Sequence, residues 1–239
     1  MVGALLLAAG SGTRMQGEVE DKLLHPIGHS NAFMLSCDAF FQAPKIDSLV
    51  IVHKDESQLA KLKKYINIVL SNLCDIRDYD LHFVVGGAQR QDSVLAGIQA
   101  FPEYISHVLV HDCARPFIRS HTISQIVNEI TKDRAVAIAR PLRDTLRVCT
   151  EAHKQPLSPS KTRTIDRANH WLMETPQGAP IKWLRQGLEK ARREEFAITD
   201  DMAAIELLGH PVGMLEPDYP NPKITTPEDF SYAEFLLKL

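Results

Sequence analysis

The chain predicts an α/β fold: a Rossmann-like, mostly parallel twisted sheet with helices on both faces, plus a protruding β-arm. Three observations predict it. Apolar, partly β-branched runs alternate with amphipathic stretches, the pattern of a parallel sheet covered on both sides. The first run passes straight into a glycine-containing loop, and after Pro141 the alternation gives way to short β-prone pieces around a polar stretch. A single domain over 1–239 fits this length, with the arm inserted as a subdomain at 142–179.

In chain order, residues 2–7 form an unbroken apolar run and read as the first buried strand. Residues 31–42 follow as a helix, led by the polar Asn31. The run 48–53 is the second strand, and 56–69 carries apolar residues at helical spacing. Residues 81–85 form a strand, 93–100 a helix led by Ser93, 107–110 a strand, 122–131 a helix, and 135–139 a strand. Within 142–179, residues 145–150 and 171–174 are β-prone, and the stretch between them holds Pro156, Pro159, Lys161, Arg163 and Arg167. Such an arm exposes Leu146, Val148, Ile165, Trp171 and Leu172, and a second subunit is the economical cover for them. The alternating pattern then resumes with helices at 181–193 and 200–208, a strand at 212–215 and a last helix after Thr226-Pro227.

Composition narrows the function classes. A net charge of −3 argues against a dedicated nucleic-acid binder. Cys37, Cys74, Cys113 and Cys149 lie far apart without a CxxC pair, which suits free thiols in a reducing compartment. No apolar run approaches the ~18 residues of a membrane span, and residues 2–9 lack the basic flank of a signal peptide. The expectation is a cytoplasmic protein that binds neither membrane nor nucleic acid.

In open α/β sheets, ligands sit beyond the carboxyl ends of the strands. Three loops converge there: Gly10–Arg14, Gly86-Gly87 and His111-Asp112. Gly10 and Gly12 let several backbone N–H groups point at one anion, and Arg14 and Lys22 add formal charge beside them. This is a triphosphate cradle by chemistry, though neither a Walker A loop nor GxGxxG.

With Ala8-Ala9 before it and Met15 and Lys22 after it, the Gly10-Ser11-Gly12-Thr13-Arg14 string resembles the signature of nucleotidyltransferases. Gly86-Gly87-Ala88-Gln89-Arg90-Gln91-Asp92-Ser93-Val94 resembles the GGxxRxxSV segment of the 2-C-methyl-D-erythritol 4-phosphate cytidylyltransferases. His111-Asp112-Cys113-Ala114-Arg115-Pro116 resembles that family's HDAARP. Asp144-Thr145, Thr164–Arg167, Thr175-Pro176-Gln177, Thr199–Asp201 and Asn221–Thr225 fall in the same order as family equivalents, so the resemblance spans essentially the whole chain.

The resemblance implies transfer of CMP from CTP to 2-C-methyl-D-erythritol 4-phosphate, giving 4-diphosphocytidyl-2-C-methyl-D-erythritol and pyrophosphate, by direct in-line attack of the acceptor phosphate on the CTP α-phosphate. It assigns Arg14, Lys22 and Lys223 as the catalytic cations. Ala8, Ala9, Gly10, Ser11, Gly12, Thr13, Gly86, Gly87, Ser93 and Cys113 bind the nucleotide. Asp112, Arg115, Thr145, Arg167 and Thr175 bind the acceptor, with Thr145, Arg167 and Thr175 reaching it in trans from the arm of a homodimer. Magnesium arrives on the CTP phosphates, and no protein metal site is expected. The simpler readings are a turn cap for Asp112, a loop ion pair for Arg115, a solubilising charge for Arg167, and a helix N-cap for Thr199-Asp200-Asp201. His25, His29, His53 and His111 lack metal-ligand spacing and read as structural.

Four departures from the family pattern stand out. The stretch before Lys22 is lengthened and acidic from Glu18 to Asp21, as a lid would be. Leu23 stands where glutamine is common, and Cys113 replaces an alanine beside the nucleotide sugar. Glu174 replaces the more usual glutamine before Thr175, and a carboxylate near an acceptor phosphate is repulsive unless an arginine screens it. The rival functions are a ribitol 5-phosphate cytidylyltransferase, a sugar-phosphate or molybdopterin nucleotidyltransferase, and a non-catalytic nucleotide-binding subunit.

Overall fold

The computed structural model describes residues 1–10, 15, 20–73, 80–149 and 161–239. Strands Val2–Leu7 (β1), Ser48–His53 (β4), Asp80–Val85 (β5), His107–Asp112 (β6), Ala135–Pro141 (β7), Trp171–Pro180 (β10) and Val212–Leu215 (β11) form one sheet, ordered β11-β7-β10-β6-β1-β4-β5. Pro26–Ile27 (β2) pairs with Ser30–Asn31 (β3), and Leu146–Cys149 (β8) with Thr162–Ile165 (β9), as two small antiparallel sheets. The seven-stranded sheet is parallel except for β10, which runs antiparallel to both neighbours.

Helices Ala32–Gln42 (α1), Glu56–Ser71 (α2), Arg90–Ala100 (α3), Ser120–Ile130 (α4), Ile181–Arg193 (α5), Asp201–Glu206 (α6) and Glu228–Leu236 (α7) complete the chain. Because successive strand residues face opposite sides, β1 feeds two cores. Ala4 and Leu6 pack with Phe33, Phe40, Leu62 and Ile126 on the side of α1, α2 and α4. Leu5 packs with Val94, Ile98, Leu184 and Ile205 on the side of α3, α5 and α6. Polar side chains cap the first two helices: Asn31 accepts from the Met34 N–H at 2.9 Å, and Asp55 from the Gln58 N–H at 2.8 Å.

Two sequence expectations need correction. Helix α3 begins at Arg90 rather than Ser93, because the Asp92 carboxylate reaches back to the Gln89 N–H at 3.2 Å and closes the first turn early. The second concerns the arm. Its paired strands are β8 and β9, and Leu142 N–H bonds the His170 carbonyl at 2.8 Å to close its base. The arm's described residues, 142–149 and 161–170, therefore end short of 179, and 150–160 lie outside the described residues. Residues 171–180 are instead a strand of the central sheet, hidden from sequence reading by Glu174, Pro176 and Gln177. Proline is confined to irregular places in a sheet interior, and here the register of β10 against β7 shifts between Met173 and Gln177. Among the described residues, no helix is long and apolar enough to cross a membrane.

Candidate active site

The chain leaves β1 for β4 and β5 on one side, then returns to place β6 on the other. That switch opens a crevice at the carboxyl ends of β1 and β6, where Leu7 lies opposite Asp112. A cleft of about 470 Å³ occupies it, lined by Ala9, Gly10, Lys22, Gly87, Arg90, Asp112 and Lys223 among others.

On the nucleotide side, Gly87 N–H donates to Ser93 Oγ at 3.1 Å, and Ser93 Oγ–H donates to the Gln89 carbonyl at 3.2 Å. This folds the 86–89 loop onto the start of α3. A Cβ on Gly87 would lie 2.3 Å from Asp92 Cβ, so only glycine permits the turn. Ala9 and Gly10 line the cleft, whereas Ala8 is buried and acts through its backbone: its carbonyl accepts from Gln58 Nε2 at 3.1 Å. Gly86 does not line the cleft; a Cβ there would lie 2.7 Å from Ala9 Cβ, so its role is close packing. Cys113 corrects an expectation. Its side chain is fully buried in the core and Ala114 lines the cleft instead, while burial first and Asp112 second push its thiol pKa up. Ser11, Gly12, Thr13 and Arg14 lie outside the described residues.

Of the acidic stretch expected to form a lid, Glu18 and Val19 lie outside the described residues, whereas Asp21 is bonded in place. Its carboxylate accepts from Gln58 Nε2 at 2.7 Å and from the Leu23 N–H at 2.9 Å. It thereby fixes the backbone beside Lys22, whose Nζ donates to the Ile224 carbonyl at 2.9 Å. Ile224 N–H in turn bonds the Ala114 carbonyl at 2.8 Å. Lys22 and Lys223, far apart in sequence, thus meet over the end of β6.

At the cleft floor, Asp112 accepts from Lys223 Nζ through Oδ2 and from Arg90 Nε at 3.3 Å through Oδ1. Burial alone would raise its carboxyl pKa, but Arg90 and then Lys223 outweigh it and hold Asp112 well below the usual range. Arg90 is itself tied from behind by fully buried Asp201, at 2.7 Å. The sequence reading gives Arg90 no role of its own and Asp201 only a place in a helix N-cap. Asp200 is the helix cap expected there, accepting from the Ala203 N–H at 3.0 Å, but Asp201 turns inward. Burial, only partly opposed by Arg90, raises the Asp201 carboxyl, and its Oδ1 has no hydrogen-bond partner.

Thr175 corrects a further expectation. It lies in β10, 5% exposed, and serves its own chain rather than a partner's site. Asp112 N–H donates to Thr175 Oγ1 at 3.1 Å, and that hydroxyl lies 3.1 Å from His111 Nδ1. His111 Nε2 faces the Arg115 carbonyl at 3.2 Å, which can only accept, so the hydrogen is on Nε2 and Nδ1 accepts from Thr175. This relay holds Asp112 in place. Burial, only partly offset by Asp112, lowers His111 to about 3, so it is neutral at pH 7.

The sign of the pH effect follows. An unfolded histidine titrates near 6.5, so between pH 6.5 and about 3 the unfolded chain binds the extra proton and stability falls with acid. The histidine contribution is roughly 3–5 kcal/mol over that window. The stability difference between wild type and His111→Asn, measured by urea unfolding, is therefore expected to shrink from pH 7 to pH 4. A constant difference would contradict the buried neutral histidine.

Arg115 does not line the cleft: its NH1 donates to the Asn221 carbonyl at 2.9 Å and lies 3.9 Å from Glu174. Glu174 is 8% exposed and turned onto Arg140, whose Nε donates to it at 2.9 Å. Thr145 and Arg167 are exposed at the arm, and neither lines the cleft of its own chain. Arg167 NH1 donates to the Arg143 carbonyl.

A family model for IspD, 2-C-methyl-D-erythritol 4-phosphate cytidylyltransferase, matches residues 2–239. The chain belongs to this family. It is 33% identical over 235 residues to the enzyme of that name from Prochlorococcus marinus, covering 98% of this chain and 97% of the relative. A Synechococcus relative of the same name is 34% identical over 233 residues, with 98% and 96% covered. Among solved structures, 4-diphosphocytidyl-2C-methyl-D-erythritol synthase from Anaerococcus prevotii superposes with a TM-score of 0.83 at 25% identity, covering 100% of this chain and 96% of its own. In this member of the cytidylyltransferase family Lys22 and Lys223 line one cleft, and Asp112 is fixed from four directions: Lys223, Arg90, Thr175 and, through Thr175, His111.

Proposed function

We propose that this chain transfers CMP from CTP to 2-C-methyl-D-erythritol 4-phosphate, giving 4-diphosphocytidyl-2-C-methyl-D-erythritol and pyrophosphate. The observation that carries the reading is the meeting of Lys22 and Lys223 at one cleft, beside the glycine-bearing loop of β1 and the 86–89 loop. An acceptor phosphate oxygen attacks the α-phosphorus, one P–O bond forms, and the bond to the bridging oxygen breaks with its electrons leaving on pyrophosphate. A phosphate monoester is ionised near neutral pH, so the chain needs no strong general base. Catalysis is then positioning and charge stabilisation by the cations around the α-phosphate.

Asp112 is the one carboxylate among the described cleft-lining residues, and no group of three or more His, Cys, Asp or Glu among the described residues could hold a metal. This donor set fits magnesium carried on the nucleotide's own oxygens, with Asp112 the nearest protein carboxylate. When bound, the ion neutralises triphosphate charge and orients the leaving group.

The reading includes a homodimer. Leu146 and Val148, exposed on the arm at 41% and 42%, support burial against a second copy. Thr145 and Arg167 then serve the acceptor of the partner's site. Pyrophosphate release with CTP, Mg²⁺ and each of methylerythritol phosphate, ribitol 5-phosphate and a hexose phosphate tests the assignment. Turnover with methylerythritol phosphate alone is expected. Preference for another acceptor would replace the substrate, and CTP binding without turnover on any of them would sink the enzyme reading.

A further inference from the structure

The first turn of α2, Asp55-Glu56-Ser57-Gln58, has the spacing of a capping box and in part behaves as one. Asp55 Oδ1 accepts from the Gln58 N–H at 2.8 Å, and Gln58 Oε1 reaches back to the Lys54 N–H at 2.7 Å. Capping asks nothing more of Gln58. Its amide nitrogen nevertheless donates twice to other parts of the chain, to the Ala8 carbonyl at 3.1 Å and to Asp21 Oδ2 at 2.7 Å. The partners fix which end of the amide is which, because a backbone N–H can only donate and a carbonyl and a carboxylate only accept. The side chain is 5% exposed, so water competes little for these bonds. Each partner leads into the cleft: Ala8 precedes Ala9 and Gly10, Asp21 precedes Lys22, and Lys54 lines the cleft itself.

We propose that Gln58 is a positioning residue of the nucleotide half of the site, where one buried amide sets Lys22 and Lys54 against the glycine-bearing loop of β1; this rests on the function proposed above. Gln58 does not itself line the cleft, and it acts on CTP through the two lysines. A displacement of about 1 Å in such a group can cost on the order of 100-fold in rate. Asp112 has other partners, Lys223, Arg90 and Thr175, so the floor of the cleft keeps its geometry without Gln58. Glutamate separates this role from capping. It is itself a capping-box residue and keeps an acceptor for the Lys54 N–H, but it has no N–H to give. It also brings a second carboxylate up to Asp21. Changing Asp21 to asparagine at the same time supplies an amide that donates to the new carboxylate, while its oxygen still serves the Leu23 N–H.

The test uses the full chain as wild type, Gln58→Glu and the double variant Asp21→Asn, Gln58→Glu. Calorimetry gives Kd for CTP with Mg²⁺, and pyrophosphate release gives kcat and the KM for methylerythritol phosphate. Gln58→Glu is expected to raise the CTP Kd about tenfold and to lower kcat at least as much, with the acceptor KM within about twofold of wild type. The double variant is expected to bring the CTP Kd back to within about threefold of wild type. If Gln58 only caps the helix, Gln58→Glu leaves the CTP Kd and kcat within about twofold of wild type, and the proposal fails. Equal losses toward CTP and acceptor, or no recovery in the double variant, also overturn it. Should Gln58→Glu not fold, Gln58→Met decides: it removes the donors without adding charge, and an unchanged CTP Kd contradicts the proposal. Wild type that binds CTP without turnover on any acceptor would remove the functional reading, while the Kd values still decide the role of Gln58. Normal wild-type turnover beside an unaffected Gln58→Glu would remove only that role.

Discussion

Lys22→Ala is expected to lower kcat by on the order of 10²–10³-fold while leaving the fold nearly as stable as wild type. The two effects separate because Lys22 meets the protein and the substrate with different stakes. Among its protein contacts is a hydrogen bond to the Ile224 carbonyl, at 2.9 Å. Such a bond contributes about 0.5–1.5 kcal/mol net. Against a triphosphate, the same ammonium faces charge that grows in the transition state, inside a cleft shared with Lys223 and Arg90. Asp21 fixes the adjoining backbone through Gln58, so the lysine is pre-positioned. Steady-state kinetics beside a thermal melt decides the matter. Unchanged turnover would take Lys22 out of the site, and a turnover loss matched by unfolding would make it structural.

Arg90→Leu is expected to be the most destabilising single change in the site, by roughly 3–5 kcal/mol. The guanidinium donates to one oxygen of the Asp201 carboxylate, whose other oxygen has no hydrogen-bond partner. Burial opposes the charge on Arg90, yet Asp201 and then Asp112 outweigh it and secure the cation, so its loss strands a buried acid. Asp112 keeps Lys223 and Thr175 and does not lose its place outright. Adding Asp201→Asn to Arg90→Leu is therefore expected to recover most of the stability, because it removes the stranded charge. Chemical denaturation of the three variants checks this. A single variant within about 1 kcal/mol of wild type would refute the buried pair.

How much of this was legible in the sequence depends on what each element faces. Strands β1 and β4 are buried throughout most of their length, so their apolar runs announce them. The loops at their carboxyl ends followed from the fold, and so did the cleft. Strand β10 was not legible, because Glu174, Thr175 and Gln177 are polar yet buried. Their partners come from elsewhere in the chain: Gln177 is held by Asp200 at 2.9 Å and by the Asp201 N–H at 2.9 Å, and Glu174 by Arg140 and Asn221. A window of sequence sees the cost of burying such groups and none of the compensation. The arm strand β9 failed for the opposite reason: Thr162–Ile165 is largely exposed, so no apolar alternation marks it.

The site divides along the same line. Lys22 and Lys223 were named from motifs in the sequence, and both line the cleft. Arg90 and Asp201 are 111 residues apart, and no spacing rule connects them. One signal was available: Arg90 sits inside the 86–94 motif, flanked by the residues that shape the loop. Thr175 was read as a contact to a partner's substrate because the arm was drawn to 179. Once β10 joins the central sheet, that threonine faces Asp112 of its own chain, and its hydroxyl becomes part of the relay to His111.

Direct attack of the acceptor phosphate on the nucleotide α-phosphorus is the core of this account, and the stereochemistry at that atom reports on it. Turnover of one diastereomer of α-thio-CTP with methylerythritol phosphate, followed by configurational assignment of the product's phosphorothioate, counts the displacements. A single in-line displacement among Lys22, Lys223 and the CTP phosphates predicts inversion. Retention would show two displacements through a nucleotidylated protein, and would contradict a site built to position and stabilise rather than to attack.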